Sequence, residues 1–188
     1  MRVFHVTPDQ FTELDALPAD LPAAGFVWVG SARREFEVHA PDIQARLQHW
    51  TGATLVDLHV SDLLNNQLPS HFDTTFEYDL LVFRRLAAAP GTAVLADAKQ
   101  ATRRATREAL DAIDTSPVGF AVFDRVLVSV HPADCAVRDF FAARLAQRGQ
   151  AGAARLPTSP AELMLRMVNH MVDSYLELRR LLSRHLGE

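Results

Sequence analysis

Eight histidines and one cysteine are the side chains best suited to metal or nucleophilic chemistry in this 188-residue sequence. The histidines are His5, His39, His49, His59, His71, His131, His170 and His185. No two stand four apart on one expected helix, and there is no His-Glu-x-x-His, so the helix-borne zinc pattern is missing. His59 on an expected strand and the run His71-Phe72-Asp73 in a loop could converge as a metal site, but solvated or hydrogen-bonded histidines are the favoured reading and the metal ligands stay unknown. Cys135 follows His131 by four residues, but Pro132 between them keeps the imidazole out of any helix that carries the thiol. The residue types therefore point to a small buried cysteine at a helix start rather than a nucleophile. Gly25 and Gly30 are too widely spaced for a phosphate loop, and no Gly-x-Ser-x-Gly elbow occurs. Two arginine groups remain. Arg103, Arg104 and Arg107 would present a basic patch on a polar helix over 97–114, to an anion, to a lipid headgroup or simply to water. Arg179, Arg180 and Arg184 crowd the end of the last helix, where they complement the negative end of its dipole.

The elements that must position these groups alternate along the chain. Arg2 to Val6 alternates polar and apolar and reads as a strand. Pro18, Pro22 and Gly25 punctuate the next stretch, and 25–30 is a compact apolar run bounded by glycines, so a buried strand is expected. Pro41 suits a first helical position, with Ile43, Leu47 and Trp50 forming one stripe as far as Gly52. The run 54–60 reads as a further strand, with Ser61 or Asp62 capping a short helix to Leu64. The segment 77–86 reads as a strand broken by Ala89-Pro90-Gly91. Two β-rich runs, 118–123 and 126–130, flank Asp124-Arg125 and predict a tight hairpin, although neither turn residue takes positive φ easily. A helix is expected from about Asp134 to Arg148, interrupted by Gly149 to Gly152.

The last segment is the most regular. Thr158-Ser159-Pro160 followed by Glu162 supplies a cap, a first-turn proline and an early acid. Met164, Val168, Met171, Tyr175, Leu178 and Leu182 then recur at spacings of four and three, a heptad pattern, with Leu163, Met167 and Leu181 widening the stripe. About 27 residues of helix would span roughly 40 Å. Its end carries no stop signal, which predicts continuation beyond Glu188. These six residues are the expected helix-packing or interface positions. Coverage of the stripe within one chain would remove the argument for a missing partner.

Composition sets the outer limits. Apolar residues are 48% and charged residues 22% of the chain, which excludes bulk disorder. The net charge of −4 speaks against a general nucleic-acid binder. Charge is uneven: residues 1–137 hold 11 Lys+Arg against 18 Asp+Glu, whereas 138–188 hold 8 Arg against 5 acids. A basic tail on an acidic body suggests that the tail meets something different. One cysteine excludes an internal disulfide. No apolar run is long enough for a membrane helix, and the N-terminus lacks a signal-peptide layout, so a soluble, cytoplasmic chain is expected. The coarse order predicts an α/β (α+β) fold, a mixed sheet with helices on its faces and protruding C-terminal helices. The expected division is 1–132 for the sheet domain and 133–188 for the terminal helices.

Four ordered stretches carry a family likeness. They are Leu58 to Pro69, Phe76 to Phe83, Val118 to His131, and Ser159 to Tyr175, the last including Val172-Asp173-Ser174-Tyr175. Together they resemble the N-terminal cytoplasmic domain of the CorA family of divalent-metal transporters, which includes the ZntB branch. The resemblance implies a three-layer α/β/α sandwich whose terminal helices lead to a stalk and a pore. It implies self-association as pentamers in full-length members, attachment to the inner membrane through a C-terminal segment, and placement on its cytoplasmic side. It implies no nucleic-acid partner, no enzyme activity and no tightly bound cofactor. A divalent cation, magnesium or zinc, would serve as the transported or regulatory ion. No Gly-Met-Asn pore signature occurs in this sequence, so the 188 residues alone would not transport. Leu68 stands before Pro69 where the family pattern has arginine. The acidic residue of a regulatory magnesium site has no counterpart at Leu86-Ala87-Ala88-Ala89, so no metal ligands are carried over. The positive tail is closer to the ZntB branch. By itself the fragment is expected to be a monomer or weak oligomer. The alternative is a free-standing α/β enzyme or self-associating module that binds a small ligand.

Overall fold

The computed structural model describes residues 1–86, 115–151 and 155–186. The expected helix over 97–114 and its arginines lie outside the described residues. Seven strands form one mixed sheet: β1 (Arg2–Val6), β2 (Phe11–Leu14), β3 (Phe26–Ala32), β4 (His71–Thr74), β5 (Asp79–Leu86), β6 (Thr115–Val122) and β7 (Val126–His131), in the spatial order β2-β1-β3-β7-β6-β5-β4. Only β3 and β7 among these pair in parallel, Val27 lying opposite Val126 and Ala32 opposite His131. Four helices cover it: α1 (Arg33–Thr51), α2 (Asp57–Leu64), α3 (Val137–Ala151) and α4 (Pro160–Leu186).

Two separate cores lie on the two sheet faces, because successive strand residues point to opposite sides. On one face Val27, Val29, Val126, Val128 and Val130 meet Phe36, Ile43 and Leu47 of α1 and Leu63 of α2. On the other, Phe4, Trp28, Val118, Phe120 and Leu127 meet Phe141 and Leu145 of α3 and Leu163, Met167 and Met171 of α4. The result is the three-layer sandwich that the resemblance implied, α1/α2 above the sheet and α3/α4 below it. Trp28 shows how its interior tolerates a polar atom: the buried indole N–H donates to Ser129 Oγ at 2.9 Å, and the ring leans on Phe4 at 4.8 Å.

One position requires glycine, and a second glycine is tightly packed. Gly25 has φ +74°, and a Cβ there would meet the Val6 carbonyl oxygen at 2.0 Å. A Cβ on Gly119 would stand 2.4 Å from Leu63 Cδ2, so the Leu63 side chain of α2 rests directly on the bare backbone of β6. The β6–β7 turn forms as expected, closed by Phe123 N–H to Val126 O at 2.9 Å. Neither Asp124 nor Arg125 has positive φ. The Arg125 guanidinium instead ties the turn to the carbonyls of Pro22 and Gly25.

Four local expectations are corrected. The run 54–60 is not a strand: Leu55, His59 and Leu63 recur every four residues and are all buried, which is helical spacing. Only with His59 counted as a solvent-facing polar residue does the run alternate like a strand. α1 begins at Arg33, not at Pro41, which sits inside it; Phe36 extends the buried row of Ile43 and Leu47 by two turns. Its first turn is capped by Glu35, whose carboxylate accepts from Ala32 N–H at 2.9 Å, from Arg138 at 3.2 Å and from the amino terminus. α3 starts at Val137 and runs through Gly149 to Ala151. Finally, β2 and β4 are short edge strands without an apolar alternation, formed by pairing with β1 and β5.

Candidate functional site at the terminal helix

α4 is built as the sequence indicates. Ser159 Oγ accepts from Glu162 N–H at 3.1 Å, and the Glu162 carboxylate reaches back to Thr158 N–H at 2.7 Å and Thr158 Oγ1 at 2.8 Å. These bonds, the backbone one foremost, hold the Glu162 carboxyl down at about 2. Arg166, one turn on, donates to the same carboxylate at 2.7 Å.

The six stripe residues divide between two environments. Leu163, Met167 and Met171, four apart, form the fully buried row; Met171 alone belongs to the six and is 3% exposed. Met164 and Val168 are half-buried and flank the same core. Tyr175 is half-buried, its ring edge-on to Phe83 at 6.3 Å, and its hydroxyl donates to the Arg84 carbonyl of β5. Leu178 and Leu182 are half-buried, while Leu165 and Leu176 are exposed at 55% and 45%. Arg179, Arg180 and Arg184 are exposed. Coverage of Met171 within this chain removes it as an argument for a missing partner.

Arg84 makes the Tyr175 contact consequential. Its guanidinium donates to the Leu68 carbonyl at 2.7 Å and to Thr115 Oγ1 at 2.8 Å, and its own N–H donates to Ser70 Oγ at 2.9 Å. One residue thus joins the loop before β4, the start of β6 and α4. Sequence reasoning missed it; the Arg84-Arg85 pair at the end of an apolar strand was the available signal.

His59 and Asp73 do converge, from α2 and β4. His59 is 2% exposed. Val56 N–H donates to Tyr78 Oη at 3.0 Å, Tyr78 Oη lies 2.7 Å from His59 Nδ1, and His59 Nε2 lies 2.7 Å from Asp73 Oδ2. In the tautomer where the phenol donates to Nδ1, the Nε2–H donates a hydrogen bond to the Asp73 carboxylate. That bond, with the Thr74 N–H, holds the Asp73 carboxyl below its ordinary range. His71 Nε2 faces Asp62 Oδ2 at 3.5 Å. The four side chains lash β4 onto α2, yet among the described residues no three His, Cys, Asp or Glu side chains are arranged to hold a metal. His131 and Cys135 are both buried; burial pushes the imidazole down and the thiol up, and His131 Nδ1 is taken by the Pro132 carbonyl at 2.7 Å. A protonated buried thiol is not a nucleophile.

No family model and no curated protein matches this sequence. Solved structures do match its fold. The full-length CmaX protein superposes over 100% of this chain with TM-score 0.65 at 14% identity. The ZntB cytoplasmic domain from Vibrio parahaemolyticus covers 95% of it with TM-score 0.57 at 17% identity. The CorA magnesium transporter from Methanocaldococcus jannaschii covers 99% with TM-score 0.64 at 12% identity. The chain spans 49%, 61% and 48% of those three chains, about half to three fifths of their length. Among the described residues no helix is long and apolar enough to cross a membrane. From β1 to α4, then, this chain has the fold found in the CorA and CmaX structures and in the ZntB cytoplasmic domain.

Proposed function

We propose that the chain is a non-catalytic regulatory and scaffold domain of a CorA-like divalent-cation transporter. The observation that carries this reading is the fold likeness along the whole chain, α4 included, to proteins about twice its length, one of them a magnesium transporter. On this reading the pore lies in another part of the protein, on the far side of α4, and magnesium or zinc is the cargo. The sheet domain would face the cytoplasm, and copies would assemble around an axis, as pentamers in the complete protein.

The mechanism is mechanical. α4 crosses the sheet and is pinned at β5 by Tyr175 on Arg84. Residues 176–186 extend about 16 Å beyond that pin. A cation or a charge change between subunits that favours one position of this distal segment biases the pore, by as much as its affinity differs between the two positions. Leu178 and Leu182 are the packing positions on that segment.

The test is to read the natural reading frame past residue 188 and reconstitute its product in liposomes. Two apolar spans, the first followed by Gly-Met-Asn, with magnesium or zinc flux, are the expected outcome. Tyr175→Phe, which frees the pin without removing the ring, should change the cation dependence of that flux. A stop codon after residue 188 would end the transporter reading.

A further inference from the structure

The facing sides of α3 and α4 line an open cleft of about 270 Å³. Its floor is Phe141 and Leu145, both buried in the lower core. Arg144 and Arg148 form one wall and Arg166 and His170 the other, with Asn169 beside them and Asp173 the one carboxylate in the lining. Three guanidinium groups thus face one acid. Arg166 is already engaged, by Glu162 and by the Arg155 carbonyl at 3.2 Å. Arg144 and Arg148 are not: among the described residues neither has a carboxylate within ion-pair reach, and Arg144 rests 5.9 Å above the Phe140 ring. Phe140 in turn stacks on His170 at 4.5 Å and 17°, which fixes the rim where the two helices meet.

Two unpaired arginines one turn apart would repel each other if they merely decorated a helix surface. Opposite an amide and over an apolar floor they form a different arrangement. Guanidinium forks match the oxygens of a tetrahedral phosphate, and Asn169 adds a neutral donor. The volume exceeds what a bare phosphate fills, and the floor suits an apolar organic group. Asp173 repels an anion from its end and directs the charge towards Arg144 and Arg148. We infer that this cleft binds a small soluble organic phosphate, a phosphomonoester, with its dianion on Arg144 and Arg148 and its organic part over Phe141 and Leu145. The site stands independently of any pore.

The 188-residue chain is titrated with inorganic phosphate and with phenyl phosphate at fixed ionic strength, following melting temperature and amide NMR shifts. Both ligands should raise the melting temperature, phenyl phosphate more at equal concentration, and shifts should centre on Asn169 and His170. The Arg144→Gln/Arg148→Gln double variant should bind at least about tenfold more weakly for each charge-assisted hydrogen bond removed. These side chains are not in the core, so the variant should fold, and Arg34→Gln on α1 serves as a control that keeps full binding. Equal responses from the double variant and the wild-type chain would overturn the proposal. So would no response to either ligand. Vesicles of phosphatidic acid in phosphatidylcholine supply the same headgroup from a membrane; sedimentation with them, with no response to phenyl phosphate, would overturn the soluble assignment.

Discussion

The two faces of the sheet are built from similar apolar strands but finished differently. On the α1/α2 face a set of polar groups is matched pairwise, although Ser31 Oγ, Arg33 Nε and Trp50 Nε1 are buried there without a hydrogen-bond partner among the described residues. His59 sits between Tyr78 and Asp73, His71 opposite Asp62, and Gln44 on both backbone groups of Leu55 at 2.8 Å. On the α3/α4 face the core is equally closed beneath Leu163, Met167 and Met171, but the helices above it line a cleft with Arg144 and Arg148, neither of them paired with an acid among the described residues. Exposed apolar residues occur on both faces, Val38 and Leu58 on one and Leu165 and Leu176 on the other. A buried polar group left unmatched is costly, and an exposed one is not. The matched groups of the upper face therefore hold α2 and β4 together. The lower face leaves Arg144 and Arg148 available for a ligand.

The comparison is broken most directly through the buried row. Met167→Ala should cost about 2–5 kcal/mol in urea unfolding, whereas Leu176→Ala should stay within about 0.5 kcal/mol. A comparable loss from Leu176→Ala would mean that the distal helix is as embedded as the proximal one. The upper face gives the next largest effect. His59→Ala removes one of the two partners of Tyr78 Oη and empties a buried volume, so a loss of about 2–3 kcal/mol is expected. His71→Ala, at the looser and more exposed pair, should cost under about 1 kcal/mol. Equal costs for the two histidines would remove the distinction between a matched buried network and a surface pair.

The smallest effect is pH-dependent and belongs to the lower face. The Glu162 carboxyl is held at about 2, below its unfolded value. Its contribution is therefore complete above the ordinary carboxylate range and is lost as pH falls from there towards 2. Hydrogen exchange in the first turn of α4 should speed up across that window, and Glu162→Gln should flatten the dependence. Unchanged exchange in both proteins would show that the cap contributes nothing measurable.

Sequence reading reached the lower face more easily than the upper. The α4 start was legible because Thr158, Ser159, Pro160 and Glu162 are local signals, each acting within one turn. β3 and the β6–β7 hairpin were legible because runs such as Val126-Leu127-Val128 have few other uses. α2 was misread because His59 is buried only through partners 14 and 19 residues away. β4 has no pattern of its own, since His71-Phe72-Asp73-Thr74 is a strand only by pairing with β5. The α3/α4 cleft showed in the sequence as a basic tail. That Arg144 and Arg148 face Asn169 and His170 depends on how two helices pack, which no spacing within either helix states.

The parallel β3–β7 pair has a consequence for how the chain is made. Val27 must wait for Val126, and Trp28 for Ser129, 101 residues later. At ribosomal rates of about 5–20 residues per second, β3 spends roughly 5–20 s without its central neighbour. In that interval Phe26, Val27, Trp28 and Val29 are an unpaired apolar edge, the kind of segment that chaperones bind and that aggregates when they do not. The arrival of the β6–β7 hairpin closes the gap in one event, bringing β5 and β3 into the same sheet. Both cores should therefore form late and together, and Trp28 fluorescence would time that step.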